Sequence, residues 1–511
     1  MNRRKSNIAV STLCSCAATG LNLIIGMMFI PLITNRLGSE AYGYVSLANT
    51  IVTYAGLITM ALNSYAVRYV SLAYHGGDIE QAEKYYSSVV LASIAVSLLI
   101  LAAGIALVPN ISTFFKIPFE LLADVKILFA VTTVNFCIQT VSASFLPSSY
   151  LADRLELYNG ARILSYILEI LAVLLFFRRR EAHMWYVSIA FVAASATVLI
   201  CNILIFRRFT GQFHIKKRYF SLAAVKKLLG AGIWNSINGL GNILNSGLDL
   251  WISNLMLDAA ATGYIAIAKT VGNVGVVLQS AVSQVFWPKL IEIYAANDKE
   301  ALVNKFRQIM KCTGLFVGIF FCVFTAVGDE FYALWMPGQE IGLLYELTVI
   351  VLMSNVMEGV VGPLYYIYTL TVKNRIPCMV TIAGGVVNVA GMYLLLTYTK
   401  LGAFGIVITT AVIMGFINLV TNPLYMARCL KIKRSAFYGT ILRYAIYIAA
   451  TAAALRCAHC FLWKAPSGWI KLGLEVCAGC CYCIILYGII VLDKKERNRC
   501  MAYVRGRLKK R

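Results

Sequence analysis

The chain has 511 residues, of which 60% are hydrophobic and only 14% charged, and its mean hydropathy is +0.74. Soluble globular domains carry about 45–50% apolar and about 25% charged residues, so a soluble enzyme or DNA-binding protein is excluded, and so is a disordered chain. An integral membrane protein remains.

A helical crossing of the bilayer needs about 20 apolar residues. Such runs fall in chain order near 8–30, 43–66, 87–108, 127–147, 158–177, 184–206, 228–250, 262–287, 309–328, 342–362, 377–398, 402–426, 440–462 and 469–492. These predict an all-α integral membrane protein of about 14 transmembrane helices. Barrel strands are the poorer reading, because they alternate apolar and polar residues and these runs do not. The gaps 207–227 and 288–308 are too short for a soluble domain, so the membrane part is the whole of the protein.

Most of the 46 Lys and Arg residues fall at the N-terminus, in every second loop from it and at the C-terminus. Basic loops stay cytoplasmic, which places both termini in the cytoplasm; Arg178, Arg179 and Arg180 fall on the opposite side and dissent. The net charge of +23 then reflects topology and attraction to anionic lipid, and no nucleic-acid partner is expected. Arg3-Arg4-Lys5 opens like a signal peptide, but the run that follows is long, bears Ser, Thr and Asn, and shows no cleavage site. It reads as a retained first helix.

Sliding the chain by 220 residues exposes an internal repeat. Between 37–86 and 257–306, ten of fifty positions are identical: Leu37/Leu257, Ala41/Ala261, Gly43/Gly263, Tyr44/Tyr264, Ala48/Ala268, Thr50/Thr270, Ala61/Ala281, Tyr74/Tyr294, Asp78/Asp298 and Glu80/Glu300. Chance in this composition gives roughly four. The offset spans six helices, an even number, so the repeats are parallel, as in one class of secondary transporters whose halves rock to give alternating access. The expected organisation is 1–212 as an N-terminal six-helix lobe, 213–430 as a second, and 431–511 as two added helices with a basic tail. The dipeptide Gly-Lys is absent from the sequence, so there is no phosphate-binding loop of the kind that ATP hydrolysis uses.

Polar side chains recur at helical spacing inside the apolar runs. Asn235, Asn238, Asn242, Asn245 and Asp249 step by 3, 4, 3 and 4, which puts them on one stripe of helix seven. Single asparagines commonly hydrogen-bond a neighbouring helix; five in register point to a water-filled cavity wall. Asn22 stands on the matching face of helix one, Asn49 on helix two, Lys269 and Asn273 on helix eight, and Asn135 and Gln139 on helix four. Lys269 is a cation suited to an anionic group such as phosphate, with Asp249 its alternative structural partner. Glu169, Glu358 and Asp249 are carboxylates able to carry a coupling H+ or Na+, or simply to bond a neighbouring helix. Glu475 is expected near headgroups. Cys457-x-x-Cys460 and Cys477-x-x-Cys480 match a zinc-ribbon spacing, but inside apolar crossings they read as packing residues, and no metal or cofactor is expected. Gly328-Asp329-Glu330-Phe331 lacks the catalytic domain that its resemblance to a cyclase signature needs.

Pro31-Leu32-Ile33-Thr34-Asn35-Arg36-Leu37-Gly38 followed by Glu40-Ala41-Tyr42-Gly43 resembles the start of polysaccharide repeat-unit (Wzx-type) flippases. With the six-plus-six repeat and two further helices, the chain is similar throughout to that branch of the multidrug/oligosaccharidyl-lipid/polysaccharide (MOP) superfamily, whose fold is MATE-like. The resemblance implies export of an undecaprenyl-pyrophosphate-linked oligosaccharide across a bacterial cytoplasmic membrane for cell-surface polysaccharide synthesis. The sugars would pass through the cavity, the lipid tail would stay in the bilayer, and a polymerase and glycosyltransferases of the same pathway would be partners. It also implies cationic headgroup contacts, a role Lys269 matches, although few such cations are visible. A flippase of a peptidoglycan precursor, a sporulation-related flippase, a cation-coupled multidrug exporter and a non-transporting scaffold are the rival readings.

Overall fold

The computed structural model describes residues 2–178, 182–211, 213–371, 373, 375–462, 468–494 and 496–498. Arg179, Arg180 and the basic tail lie outside them. Among the described residues the structure is helical throughout, without strands. In chain order the helices are α1 (Asn2–Asn63), α2 (Ala66–His75), α3 (Ile79–Leu107), α4 (Ile111–Phe114), α5 (Leu122–Ala143), α6 (Leu146–Leu151), α7 (Leu155–Phe177), α8 (Trp185–Phe209), α9 (Leu222–Asn242), α10 (Asp249–Met256), α11 (Ala259–Val285), α12 (Trp287–Ala295), α13 (Lys299–Trp335), α14 (Ile341–Val361), α15 (Tyr366–Thr371), α16 (Arg375–Tyr398), α17 (Ala403–Phe416), α18 (Asn422–Leu430), α19 (Tyr438–Leu462) and α20 (Trp469–Ile490).

Twelve helical stretches among the described residues are long and apolar enough to cross a membrane. Two local causes separate this count from fourteen. Ala17–His75 runs for 59 residues as one stretch, about twice the length of a crossing. It contains a turn at Gly38, whose φ of +84° only glycine adopts without cost. The seventh predicted crossing, α9 with α10, is not among the twelve; its asparagines dilute its apolar character.

The chain divides into two compact units, Met1–Ala266 and Ile267–Arg511. In the first, Tyr86 stacks on Phe206 and Phe213 with ring centroids 5.2 and 5.8 Å apart, in a cluster that also buries Phe145, Val225 and Leu228. The basic segment after α8 is tied to α3: the His214 N–H donates to Glu83 Oε1 at 2.6 Å and the Ser221 N–H to Ser88 Oγ at 2.9 Å. The seventh crossing therefore packs with the first unit, on α1. Its small residues allow a close approach: Gly232 faces the Ala61 carbonyl, and Ser236 Oγ donates to the Leu57 carbonyl at 2.6 Å.

Several repeated positions have visible duties. Asp78 caps α3 by accepting from the Gln81 N–H at 2.9 Å, and Asp298 caps α13 from the Ala301 N–H at 2.9 Å. Glu80 and Glu300 sit in the first turns of those helices, where negative charge is favoured. Within the first unit the two copies of Ala-x-Gly-Tyr meet. A Cβ on Gly43 would lie 2.8 Å from the Gly263 nitrogen and 3.0 Å from the Ala259 carbonyl oxygen, so the backbones touch where the repeat places glycine.

In the second unit α13 is the central helix, packed against α14, α19 and α20. At one end, buried Lys311 bonds Asp493 at 2.9 Å and Glu496 at 2.7 Å, and Arg443 reaches Asp493 at 2.6 Å. Tyr487 donates to the Lys311 carbonyl. These bonds fasten the segment after α20 to α13 and α19. The two cations hold the Asp493 carboxyl below the usual carboxylate range.

Candidate functional site

In the first unit the polar stripe lies on a broken helix. After Asn242 the backbone makes a π-turn over Ile243–Gly247, with the Leu248 N–H reaching the Ile243 carbonyl at 3.0 Å. One extra residue in the turn rotates everything beyond it relative to the 3.6-residue face. Asn235, Asn238 and Asn242 are exposed, whereas Asn245 and Asp249 are buried. The stripe read from spacing is thus continuous only as far as Asn242. Asn245 is spent on its own helix, donating to the Gly241 carbonyl at 2.7 Å, and the Tyr54 hydroxyl donates to the Gly247 carbonyl that the widened turn exposes.

The remaining first-unit residues divide in the same way. Asn22 is exposed on α1 and Asn49 partly buried. Asn135 is buried and accepts from Ser195 Oγ at 2.6 Å, while Gln139 donates to the same oxygen at 3.2 Å. One turn on, Asn202 donates to Ser142 Oγ at 3.0 Å. These amides and hydroxyls form a ladder joining α5 to α8, so the Asn135 side chain is engaged in helix packing. Glu169 is buried on α7.

In the second unit Lys269 is partly buried on α11 and Asn273, one turn along, is exposed. Asn355 on α14 donates to the Gly272 carbonyl at 2.8 Å, which fixes α14 beside this stretch. Glu358 follows Asn355 within a turn and is partly buried. It stands near a polar network that spacing alone did not reveal. Tyr365 donates to Asn418 Oδ1 at 2.7 Å, Asn422 Nδ2 donates to the Tyr365 hydroxyl at 2.8 Å, and Tyr368 donates to Asn422 Oδ1 at 3.0 Å. Asn418 lies within a second π-turn, Ile417–Thr421, and Asn422 directly follows it. The signal that could have found them is Asn-x-x-x-Asn-Pro at 418–423, two amides one turn apart ahead of a proline.

One sequence expectation is overturned. Glu475 does not face headgroups: it is buried, beside His459. It lies in the second turn of α20, where His459 of α19 and Glu330 of α13 stand beside it.

Broken helices carrying amides, together with carboxylates within apolar helices, are features of transporters, and comparison with known proteins decides the family. The family model described as "Polysaccharide biosynthesis protein" matches residues 8–294. The chain belongs to this family. It is 28% identical over 481 residues, 94% of each chain, to a Bacillus subtilis protein named "Uncharacterized membrane protein EpsK". Its fold is that of the lipid II flippase MurJ in an inward closed conformation, with a TM-score of 0.68, 16% identity, and coverage of 94% of this chain and 98% of that one. An inward-facing MATE family multidrug resistance transporter of the MOP superfamily matches with a TM-score of 0.63 and 17% identity, covering 81% of this chain and 96% of its own. This polysaccharide biosynthesis family member is therefore a multi-pass membrane protein of the MATE-like fold.

Proposed function

We propose that the protein is an alternating-access flippase that moves an undecaprenyl-pyrophosphate-linked oligosaccharide from the cytoplasmic to the outer leaflet, with both termini cytoplasmic and no resident cofactor. The observation that carries this reading is the family match over residues 8–294, and the greater coverage by a lipid-headgroup flippase than by a drug exporter agrees with it. The chemistry of the exposed polar face suits the cargo. Asn235, Asn238 and Asn242 offer donor and acceptor in one group, as sugar hydroxyls require, and amides left facing hydrocarbon would be unsatisfied. Asn22 and Asn49 offer the same chemistry in the first unit, and Asn273 offers it in the second. Lys269 supplies the positive charge for the pyrophosphate.

Transport against a gradient needs an ion. Glu358 beside the Tyr365–Asn418–Asn422 network is the first choice for a carboxylate that exchanges H+ or Na+, with Glu169 and Asp249 as the others. The polymerase and glycosyltransferases that consume and supply the lipid-linked sugar are the expected partners. The reading is tested by Lys269→Ala in proteoliposomes carrying a fluorescent polyprenyl-pyrophosphate oligosaccharide. Loss of headgroup translocation with a normal size-exclusion profile supports the assignment, and unchanged translocation removes Lys269 from the site.

A further inference from the structure

Three helices of the second unit bring ionisable side chains together. Glu330, from the Gly-Asp-Glu-Phe stretch on α13, meets His459 of α19 and Glu475 of α20, and one ligand atom from each lies within 4.8 Å of the other two. His459 Nδ1 is 3.5 Å from Glu475 Oε2, and His459 Nε2 is 3.7 Å from Glu330 Oε1. We propose that Glu330, His459 and Glu475 bind a divalent transition-metal ion of the zinc class, which pins the last two helices to α13.

Burial is the first reason. Glu475 is 4% exposed and His459 8%; both Glu475 oxygens and His459 Nδ1 are buried without a hydrogen-bond partner among the described residues. A buried carboxylate is stable only when paired or coordinating an ion. Among the nearby charges His459 is ion-paired with Glu475, but at 3.5 Å it stands beyond hydrogen-bond length. Arg456 is occupied by Asp329 at 2.9 Å, and Lys471, one turn before Glu475 on α20, leaves both Glu475 oxygens without a hydrogen bond.

Geometry is the second. Hydrogen bonds between these groups need about 2.7–3.2 Å, and both separations exceed that. Oxygen and nitrogen ligands bound at about 2.0–2.1 Å around a tetrahedral ion stand roughly 3.4 Å apart. The two carboxylates face opposite nitrogens of His459, and one ion takes only one of them, so closing the set, whose ligand atoms lie within 4.8 Å, around a single nitrogen needs a contraction of up to roughly an ångström and a half. One imidazole with two carboxylates is a donor set that zinc accepts. His459 and Glu475 also border a cavity of about 310 Å³ whose other walls include Val323, Ala326, Ala454 and Ala458.

The four cysteines singled out by their spacing do not form such a group: among the described residues, Glu330, His459 and Glu475 are the set of His, Cys, Asp or Glu side chains within this distance. The nearest sequence signal was misleading because the ligands are drawn from three helices far apart in the chain.

The test uses the full chain, purified with a non-histidine tag, stripped with chelator and titrated with Zn2+ in nanodiscs. Bound zinc is measured by elemental analysis and the thermal midpoint recorded in parallel. The expected result is one zinc per chain and a raised midpoint. His459→Gln and Glu475→Gln weaken binding by roughly tenfold or more, and substitution of Cys457, Cys460, Cys477 and Cys480 by Ser leaves it intact. Glu330→Gln, at the more exposed ligand, serves if either buried variant misfolds. Absence of stoichiometric zinc, binding equal to wild type in the Glu330, His459 and Glu475 variants, or loss of binding in the cysteine variant overturns the proposal.

Discussion

The crossing of the repeated glycines gives a sharp prediction about stability. Replacing Gly43 by Ala places a methyl 2.8 Å from a backbone nitrogen and 3.0 Å from a backbone carbonyl. An ordinary contact is about 3.5–4.0 Å, so the two segments must separate by roughly half an ångström or more, and neither obstacle is a side chain able to rotate away. Overpacking of this kind costs about 1–3 kcal/mol. Gly263→Ala puts a methyl closer still to the Ser39 carbonyl oxygen and costs at least as much. Gly20 and Gly26 on α1 have open space where a Cβ would go, so alanine there is neutral or gains up to about 1 kcal/mol of helix propensity. Thermal unfolding of the four purified variants, followed by monomer retention on size exclusion, separates the classes. The expected order is Gly43→Ala and Gly263→Ala well below wild type, with Gly20→Ala and Gly26→Ala at or above it. A Gly43→Ala protein as stable as Gly26→Ala would refute the backbone crossing.

Four further outcomes follow. Joint replacement of Asp493 by Asn and Glu496 by Gln leaves the Lys311 cation buried; the loss stays below the about 3–5 kcal/mol of a fully buried pair because the carboxylates are 53% and 36% exposed, and a chemical-denaturant series measures it. Since the Asp493 carboxyl titrates below its ordinary range, its contribution is present above about pH 4 and is lost as the pH falls through the lowered value. Asp493→Asn should flatten the acid limb of stability against pH, and an unchanged limb contradicts this. On the proposed reading, replacing Asn235, Asn238 and Asn242 together by Leu removes up to three hydrogen bonds of about 1 kcal/mol each to the cargo; headgroup translocation should fall by tenfold or more with the fold intact, whereas Asn245→Leu should act chiefly on stability. Glu358→Gln should abolish the dependence of transport on an imposed H+ or Na+ gradient, and a variant that keeps wild-type ion dependence removes Glu358 from coupling.

The crossings were legible because hydrophobic runs of bilayer length carry a strong signal, and the family resemblance rested on residues 31–43, which the family match includes. Other parts were not legible for identifiable reasons. A π-turn is made of backbone hydrogen bonds and has no side-chain period, so the 3, 4, 3, 4 spacing through Asn245 and Asp249 looked continuous. The packing role of Asn135 depends on Ser195, sixty residues away. Glu330, His459 and Glu475 converge only because α13, α19 and α20 pack together. Local spacing reports a helix face; it does not report which helix that face meets.

The most direct test of the central claim is reconstitution of the purified chain in liposomes with two cargoes, a fluorescent polyprenyl-pyrophosphate oligosaccharide and a cationic dye. The account predicts protein-dependent translocation of the oligosaccharide headgroup, reduced in Lys269→Ala, without transport of the dye. Dye transport with no movement of any polyprenyl-linked headgroup would contradict it and make the protein a drug exporter on the same fold.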